Sequence, residues 1–208
     1  MPAREHILHK VRTALGRSAG QPPAEAPPVR LRFPSLDIGE RARRFLERFP
    51  GQTRCAASAE EAREYVAAII AGQKAVAPPN PLLDRLGILT LPEVQTLGGE
   101  VSQVRDACAA AYVGITSAAY GLCDTGALVV TASGEESRLA SLLPTIHITV
   151  LAADRILTGL DELFTVWPDP AALSSSMVLI GGPSKTADIE QILTLGVHGP
   201  RELHLVLV

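Results

Sequence analysis

The strongest constraint on the fold is a set of short, near-continuous apolar runs rich in β-branched residues, at 127–131, 146–151, 177–180 and 203–208. A strand with one wet face alternates apolar and polar side chains, so an unbroken run of this length belongs to a strand covered on both faces. Before these runs the apolar spacing is that of a helix. Ala42, Phe45, Leu46 and Phe49 form one helical face with arginines and glutamates opposite. Ser58-x-x-Glu61 is a capping box ahead of Ala62, Tyr65, Val66, Ile69 and Ile70. Residues 74–77 read as a short strand closed by Pro78 and Pro79. Strands separated by helices predict an α/β domain: a mainly parallel sheet with helices on both faces.

Ahead of this domain, Ile7, Leu8, Val11 and Leu15 recur at helical spacing and predict an amphipathic helix over residues 3–16, ended by Gly16. Pro22, Pro23, Pro27, Pro28 and Pro34 then predict a semi-extended linker. The expected organisation is an N-terminal helical arm with its linker, residues 1–35, and one α/β domain, residues 36–208. The apolar stripe of the arm needs a surface to cover it, on the body or on a partner chain. A chain of 208 residues buries roughly 70% of its unfolded surface and needs no disulfide or metal staple.

Charge and composition narrow the function. With 19 basic and 22 acidic residues and 4% aromatics, the chain lacks the basic stripe and stacking platforms of a nucleic-acid binder. Its one arginine cluster is the helix face of Arg41, Arg43, Arg44 and Arg48. The longest apolar tract, 139–151, is interrupted by Ser141, Pro144, Thr145 and His147, so no membrane span is expected. Cys55, Cys108 and Cys123 never approach C-x-x-C spacing, which argues against a four-thiolate cluster or zinc site on this chain. The histidines lack H-x-x-x-H and H-E-x-x-H spacing, so no metal is expected. An odd cysteine count behind a polar N-terminus points to the cytoplasm.

Four places could carry chemistry, on the rule that ligands gather beyond the carboxyl ends of strands. In Gly181-Gly182-Pro183-Ser184-Lys185-Thr186-Ala187-Asp188-Ile189-Glu190, a strand turns on glycines into an expected helix with Ile189, Ile192 and Leu193 inward. The free N–H groups of such a helix start would attract a carboxylate or phosphate near Ser184 and Thr186, unless this is an ordinary turn with Asp188 and Glu190 complementing the dipole. Thr116 and the Asp124-Thr125-Gly126 turn precede buried runs. Asp-Thr-Gly is also the aspartic-protease signature, but one copy in an α/β setting leaves a structural turn or a ligand loop. Ser133-x-x-Glu136 is a capping box, Arg138 could clamp a carboxylate through its planar fork, and His147 could be a structural histidine or a general base. His198, beside Gly199-Pro200, lies on a loop from which an imidazole can reach a ligand.

In this order, Gly114-Ile115-Thr116, Asp124-Thr125-Gly126-Ala127-Leu128-Val129-Val130 and Arg138-Leu139-Ala140-Ser141-Leu142-Leu143-Pro144 resemble the lactate-utilization (LUD) domain family, most closely the lactate utilization protein C family. The resemblance continues through His147-Ile148, Gly182-Pro183-Ser184-Lys185-Thr186-Ala187-Asp188-Ile189-Glu190 and Gly196-Val197-His198-Gly199-Pro200-Arg201-Glu202-Leu203. It is strong from about residue 110 onward, with Ala127 standing where a threonine is more usual. It implies a fold like the glucosamine-phosphate isomerase, ribose-phosphate isomerase and CoA-transferase group. It also implies a place in a three-component system that oxidises L-lactate to pyruvate, with the iron–sulfur clusters on the other two components and no cofactor on this chain. Two readings follow. In one the chain is an accessory or substrate-binding subunit that docks on the cluster-bearing partners. In the other it is a free-standing enzyme for a small anionic metabolite. Asp124 or His198 would then be acid or base, with Thr116, Thr125, Gly126, Arg138, Ser184, Thr186, Asp188 and Glu190 as substrate-binding candidates.

Overall fold

A computed structural model describes residues 3–18, 21, 35–132, 137–167, 176–187 and 193–208, with backbone alone at 186–187 and 193–194. In chain order the elements are α1 (Ala3–Ala14), α2 (Ile38–Arg48), β1 (Gln52–Cys55), α3 (Ala59–Ile70), β2 (Ala75–Ala77), α4 (Pro81–Arg85), β3 (Val94–Thr96), α5 (Val101–Ala110) and β4 (Val113–Ser117). There follow β5 (Tyr120–Leu122), β6 (Ala127–Ala132), β7 (Ile146–Leu151), β8 (Ile156–Leu157), α6 (Leu160–Val166), β9 (Ser176–Ile180), β10 (Lys185–Ala187), β11 (Leu193–Leu195) and β12 (Glu202–Leu207). Short 3-10 turns lie at Arg138–Ser141 and Ala153–Arg155.

The chain divides into two compact units, Met1–Leu31 and Arg32–Val208. In the first, α1 leaves Ile7, Val11 and Leu15 exposed, and the chain leaves the helix through Gly16 at φ 64°. The proline-rich stretch 22–34 lies outside the described residues.

The second unit is built on a six-stranded sheet in the order β1-β12-β7-β4-β2-β3, with every pairing parallel. Its pleat sorts the apolar runs onto two cores. Val113, Ile115, Ile146, Ile148, Val150 and Val206 face α3 and α4, packing on Ala62, Val66, Ile70 and Leu83. Leu151, Leu203, Leu205 and Leu207 face the other way, against Phe45 and Phe49 and against Leu128 and Val130 of β6. Toward the β2–β3 edge, Val76 and Leu97 meet Cys108 of α5. Both faces are covered, and each large side chain fully withdrawn from water, such as Phe45 or Ile70, stabilises by roughly 1.5–3 kcal/mol. The expected α/β class with a mainly parallel sheet is the observed one.

Local signals work as the sequence reading supposes, with one variation. Ser58 Oγ accepts from Glu61 N at 3.2 Å, but the Glu61 carboxylate reaches back to Ala57 N at 3.0 Å rather than to the N-cap itself. The capping pair at Ser133 and Glu136 lies outside the described residues.

Two apolar runs, 127–131 and 177–180, are strands of a second sheet, β8-β5-β6-β9, in which β6 is antiparallel to both β5 and β9. The tight turn through Asp124, Thr125 and Gly126 reverses the chain and forces the antiparallel pairing. The 127–131 run is covered on both faces as expected, but 177–180 is an edge strand whose Leu179 is 44% exposed, so continuous hydrophobicity fixes neither burial on both faces nor strand direction.

The helix expected after Gly182 is not formed at its described ends. Lys185–Ala187 and Leu193–Leu195 are antiparallel strands, with Lys185 opposite Leu195 and Ala187 opposite Leu193. The chain doubles back because Ser184 is held on both sides: Ser184 N donates to Pro200 O at 2.9 Å and Gly196 N donates to Ser184 O at 2.9 Å. Ladder partners therefore take up the N–H groups that a helix start would have offered to an anion. Asp188, Ile189, Glu190 and Ile192 lie outside the described residues.

Candidate functional site

The described sequence-predicted residues do not form one cluster. Ser184 and His198 share a cleft of about 300 Å³, with Ser141, His147, Gly182, Lys185 and Pro200 also on its wall. His198 N donates to Ser184 Oγ at 3.1 Å, so the contact is made by the backbone while the histidine itself is exposed. The cleft sits beside the amino ends of β7 and β12, next to residues that precede those strands. The turn before Ser184 does follow the carboxyl end of its own strand, β9, as expected, but it opens at the amino edge of the parallel sheet rather than at its carboxyl edge. That strand belongs to the antiparallel sheet and ends at Ile180, and Gly182 beyond it lies against Pro50, just before β1. Thr186 follows in β10.

Asp124, Thr125 and Gly126 form a self-contained turn. Thr125 Oγ1 donates to Asp124 Oδ1 at 3.2 Å and accepts from Ala127 N at 3.4 Å, while Asp124 N donates to Thr158 O at 3.1 Å. Gly126, at φ 71°, lies so close to the Arg48–Phe49 backbone that a Cβ would overlap it. Behind the turn, Arg41 Nη1 donates to Glu162 Oε1 at 2.9 Å and to Ile156 O at 3.2 Å, joining α2 to α6 and β8. Glu162 Oε2 accepts from Thr158 N and Thr158 Oγ1, both at 2.7 Å. Burial works to raise the Glu162 carboxyl, but the Thr158 and Arg41 hydrogen bonds outweigh it and hold the group below its ordinary range. The α2 arginine face is likewise engaged: Arg43 bridges Glu40 and Glu47, and Arg44 pairs with Glu40.

Thr116 is interior. Its hydroxyl lies 2.9 Å from His147 Nε2, with Thr149 Oγ1 3.1 Å from the same nitrogen. Full burial pushes the His147 imidazole down to about 3, so it is neutral at pH 7. That value is far from the range that suits a general base at neutral pH, and the geometry is that of a hydrogen-bonded structural histidine. The void on Thr116, about 10 Å³, has room for at most one water. Arg138 is exposed at the start of its 3-10 turn, where its carbonyl accepts from Ser141 Oγ at 2.8 Å.

The larger crevice involves none of these residues. It has a volume of about 630 Å³ and is formed by the segments that follow β2 (Asn80, Arg85), β4 (Ser117, Tyr120) and β7 (Asp154, Arg155), with Trp167 on its wall. From β2 the chain enters α4, which packs on one face of the sheet through Leu83. From β4 it passes to Ala118 and Tyr120 on the other face. β2 and β4 are neighbours, and their continuations leave on opposite sides, which opens the crevice between them as in other open α/β sheets. Arg155 Nη1 donates to Tyr120 Oη at 3.4 Å, and its guanidinium lies 5.7 Å from the centroid of the same ring. Trp167 meets Tyr120 edge-on at 5.1 Å. The signal for this site was an Asn-Pro helix start directly after the 74–77 strand: Asn80 Oδ1 accepts from Leu82 N at 2.9 Å, with Pro81 at the first helical position.

Comparison with known proteins agrees with this architecture. A family model described as the LUD domain matches residues 40–208. An uncharacterized protein of Escherichia coli K12, YkgG, is 30% identical over an alignment covering 100% of this chain and 99% of that protein. Lactate utilization protein C of Halalkalibacterium halodurans is 36% identical over 42% of this chain and 40% of its own length. The Bacillus subtilis protein of that name is 34% identical over 47% of this chain and 42% of its own. These last two similarities thus span less than half of either partner. A crystal structure of a DUF162 family protein from Deinococcus radiodurans superposes with a TM-score of 0.59 at 21% identity, covering 84% of this chain and 99% of that one.

Proposed function

The chain belongs to the LUD-domain family, and from that premise we propose that it serves lactate utilisation in the cytoplasm as the cluster-free member of a three-part system oxidising L-lactate to pyruvate. In this reading it is an accessory or substrate-binding subunit, and two partner proteins carry the iron–sulfur clusters. The observation that carries the reading is the similarity to lactate utilization protein C from several bacteria within a family match that runs from residue 40 to 208. The thiols fit a cluster-free role. Burial raises Cys108, and burial followed by the nearby Asp124 charge raises Cys123, so both are disfavoured as thiolate ligands, while Cys55 stands alone and exposed. The exposed stripe of α1 fits docking on a partner.

The test is a tagged pull-down from the chain's own host grown on L-lactate, with the eluate assayed for iron, sulfide and lactate oxidation. Cluster proteins should co-purify, activity should fall when this chain is removed, and truncation before Leu36 should weaken the complex. A colourless, solitary protein whose loss leaves growth on lactate unchanged overturns this reading. It would favour the free-standing enzyme, for which the crevice beyond β2 and β4 offers a site.

A further inference from the structure

We propose that the crevice beyond β2, β4 and β7 is a binding site for an organic anion that carries a flat unsaturated ring, presenting its carboxylate or phosphate to Arg85 and Arg155 and its ring to Trp167. Size is the first argument. A volume of about 630 Å³ lies in the range of sites for cofactor- or drug-sized ligands, and a molecule as small as lactate would fill a minor part of it. Charge is the second. Two guanidiniums stand against the single carboxylate of Asp154 on the wall, and Arg85 forms no ion pair among the described residues. Pre-organisation is the third. Arg155 is already held by the Tyr120 hydroxyl and ring face, so less side-chain freedom is lost when it meets an anion. Trp167, held edge-on by Tyr120, supplies an aromatic surface on the same wall, and Ser117 supplies a hydroxyl at the end of β4.

Trp167 is the one tryptophan of the chain, so its fluorescence reports on this crevice and on nothing else in the molecule. The full-length chain is titrated with AMP, benzoate, L-lactate and inorganic phosphate while tryptophan emission is followed. AMP or benzoate should give a saturable change, with lactate and phosphate binding more weakly. R85A and R155A should each weaken that binding about tenfold, as expected for the loss of one charge-assisted contact. Both arginines are exposed, and unchanged melting of R85A keeps the test meaningful even if R155A loosens Tyr120. The assignment is overturned if neither ring-bearing anion gives a saturable change, if lactate or phosphate binds as tightly as they do, or if both arginine variants bind like the parent. The titration needs no partner protein. A failed titration with an intact lactate complex therefore removes this site alone, and a failed pull-down with intact binding removes the lactate role alone.

Discussion

His147 should make the chain lose stability in mild acid by a calculable amount. Its imidazole is withdrawn from water between β4, β7 and the second sheet, and burial lowers it from 6.5 to about 3. Below the unfolded value the denatured chain takes up a proton that the native state refuses. Unfolding then becomes easier by about 1.4 kcal/mol for each pH unit between 6.5 and 3. The native advantage is therefore complete above the unfolded value, declines as pH falls through that window, and is down by roughly 2–3 kcal/mol at about pH 4.5. His147→Gln removes the titration but leaves an amide beside the Thr116 and Thr149 hydroxyls. At pH 7.5 or so the variant should be less stable by about 1–3 kcal/mol from imperfect hydrogen bonding. Urea unfolding of parent and variant across the window isolates the effect, because carboxylates and His204 titrate equally in both. The gap between them should shrink on acidification and disappear or reverse near pH 4.5. Parallel stability curves would refute the buried, neutral imidazole.

Two other substitutions examine the scaffold. Gly114→Ala places a Cβ into the Ala140 carbonyl and within 2.9 Å of the Pro144 ring; urea unfolding should show a loss of about 3 kcal/mol, at the upper end for overpacking. Arg41→Ala leaves Glu162, whose side chain is 15% exposed, without its cation and should cost about 1–3 kcal/mol at neutral pH, between the surface and buried limits. Because the native Glu162 carboxyl is held low, the parent's advantage is full above the ordinary carboxylate range and fades as pH falls through the lowered value. Thermal melts of both proteins across that range check the direction.

The legibility of the site divides sharply. The Asp124-Thr125-Gly126 turn was visible as a motif, and Gly126 is explained by its left-handed backbone against Arg48 and Phe49. Ser184 was visible as the start of an expected helix and His198 as a loop residue, and the structure joins them across fourteen residues of chain. Their position relative to the sheet was not readable, because a run such as 177–180 looks the same in a parallel strand and in an antiparallel one. The segment from Lys185 to Leu195 carries both a helical apolar spacing and residues suited to strands. The hydrogen bonds that hold Ser184 between Pro200 and Gly196 decided for antiparallel strands at the described ends of that segment. Arg85, Tyr120, Arg155 and Trp167 carry no shared motif, being scattered over four elements that approach one another only when β2 and β4 pair.

What the sequence determined by itself is local or statistical. Apolar continuity marked the strands, three of the four runs being buried on both faces, Ser58 marked a helix start, and the ordered segments from Gly114 to Leu203 identified the family. What the tertiary structure alone decided is adjacency: the order β1-β12-β7-β4-β2-β3, the diversion of β6 and β9 into a second sheet, and the edge on which each loop emerges. The physical reason is that strand order and direction rest on contacts between residues far apart in the chain. Val76 beside Gly114 and Gly114 beside His147 are pairings that no local pattern of side chains encodes.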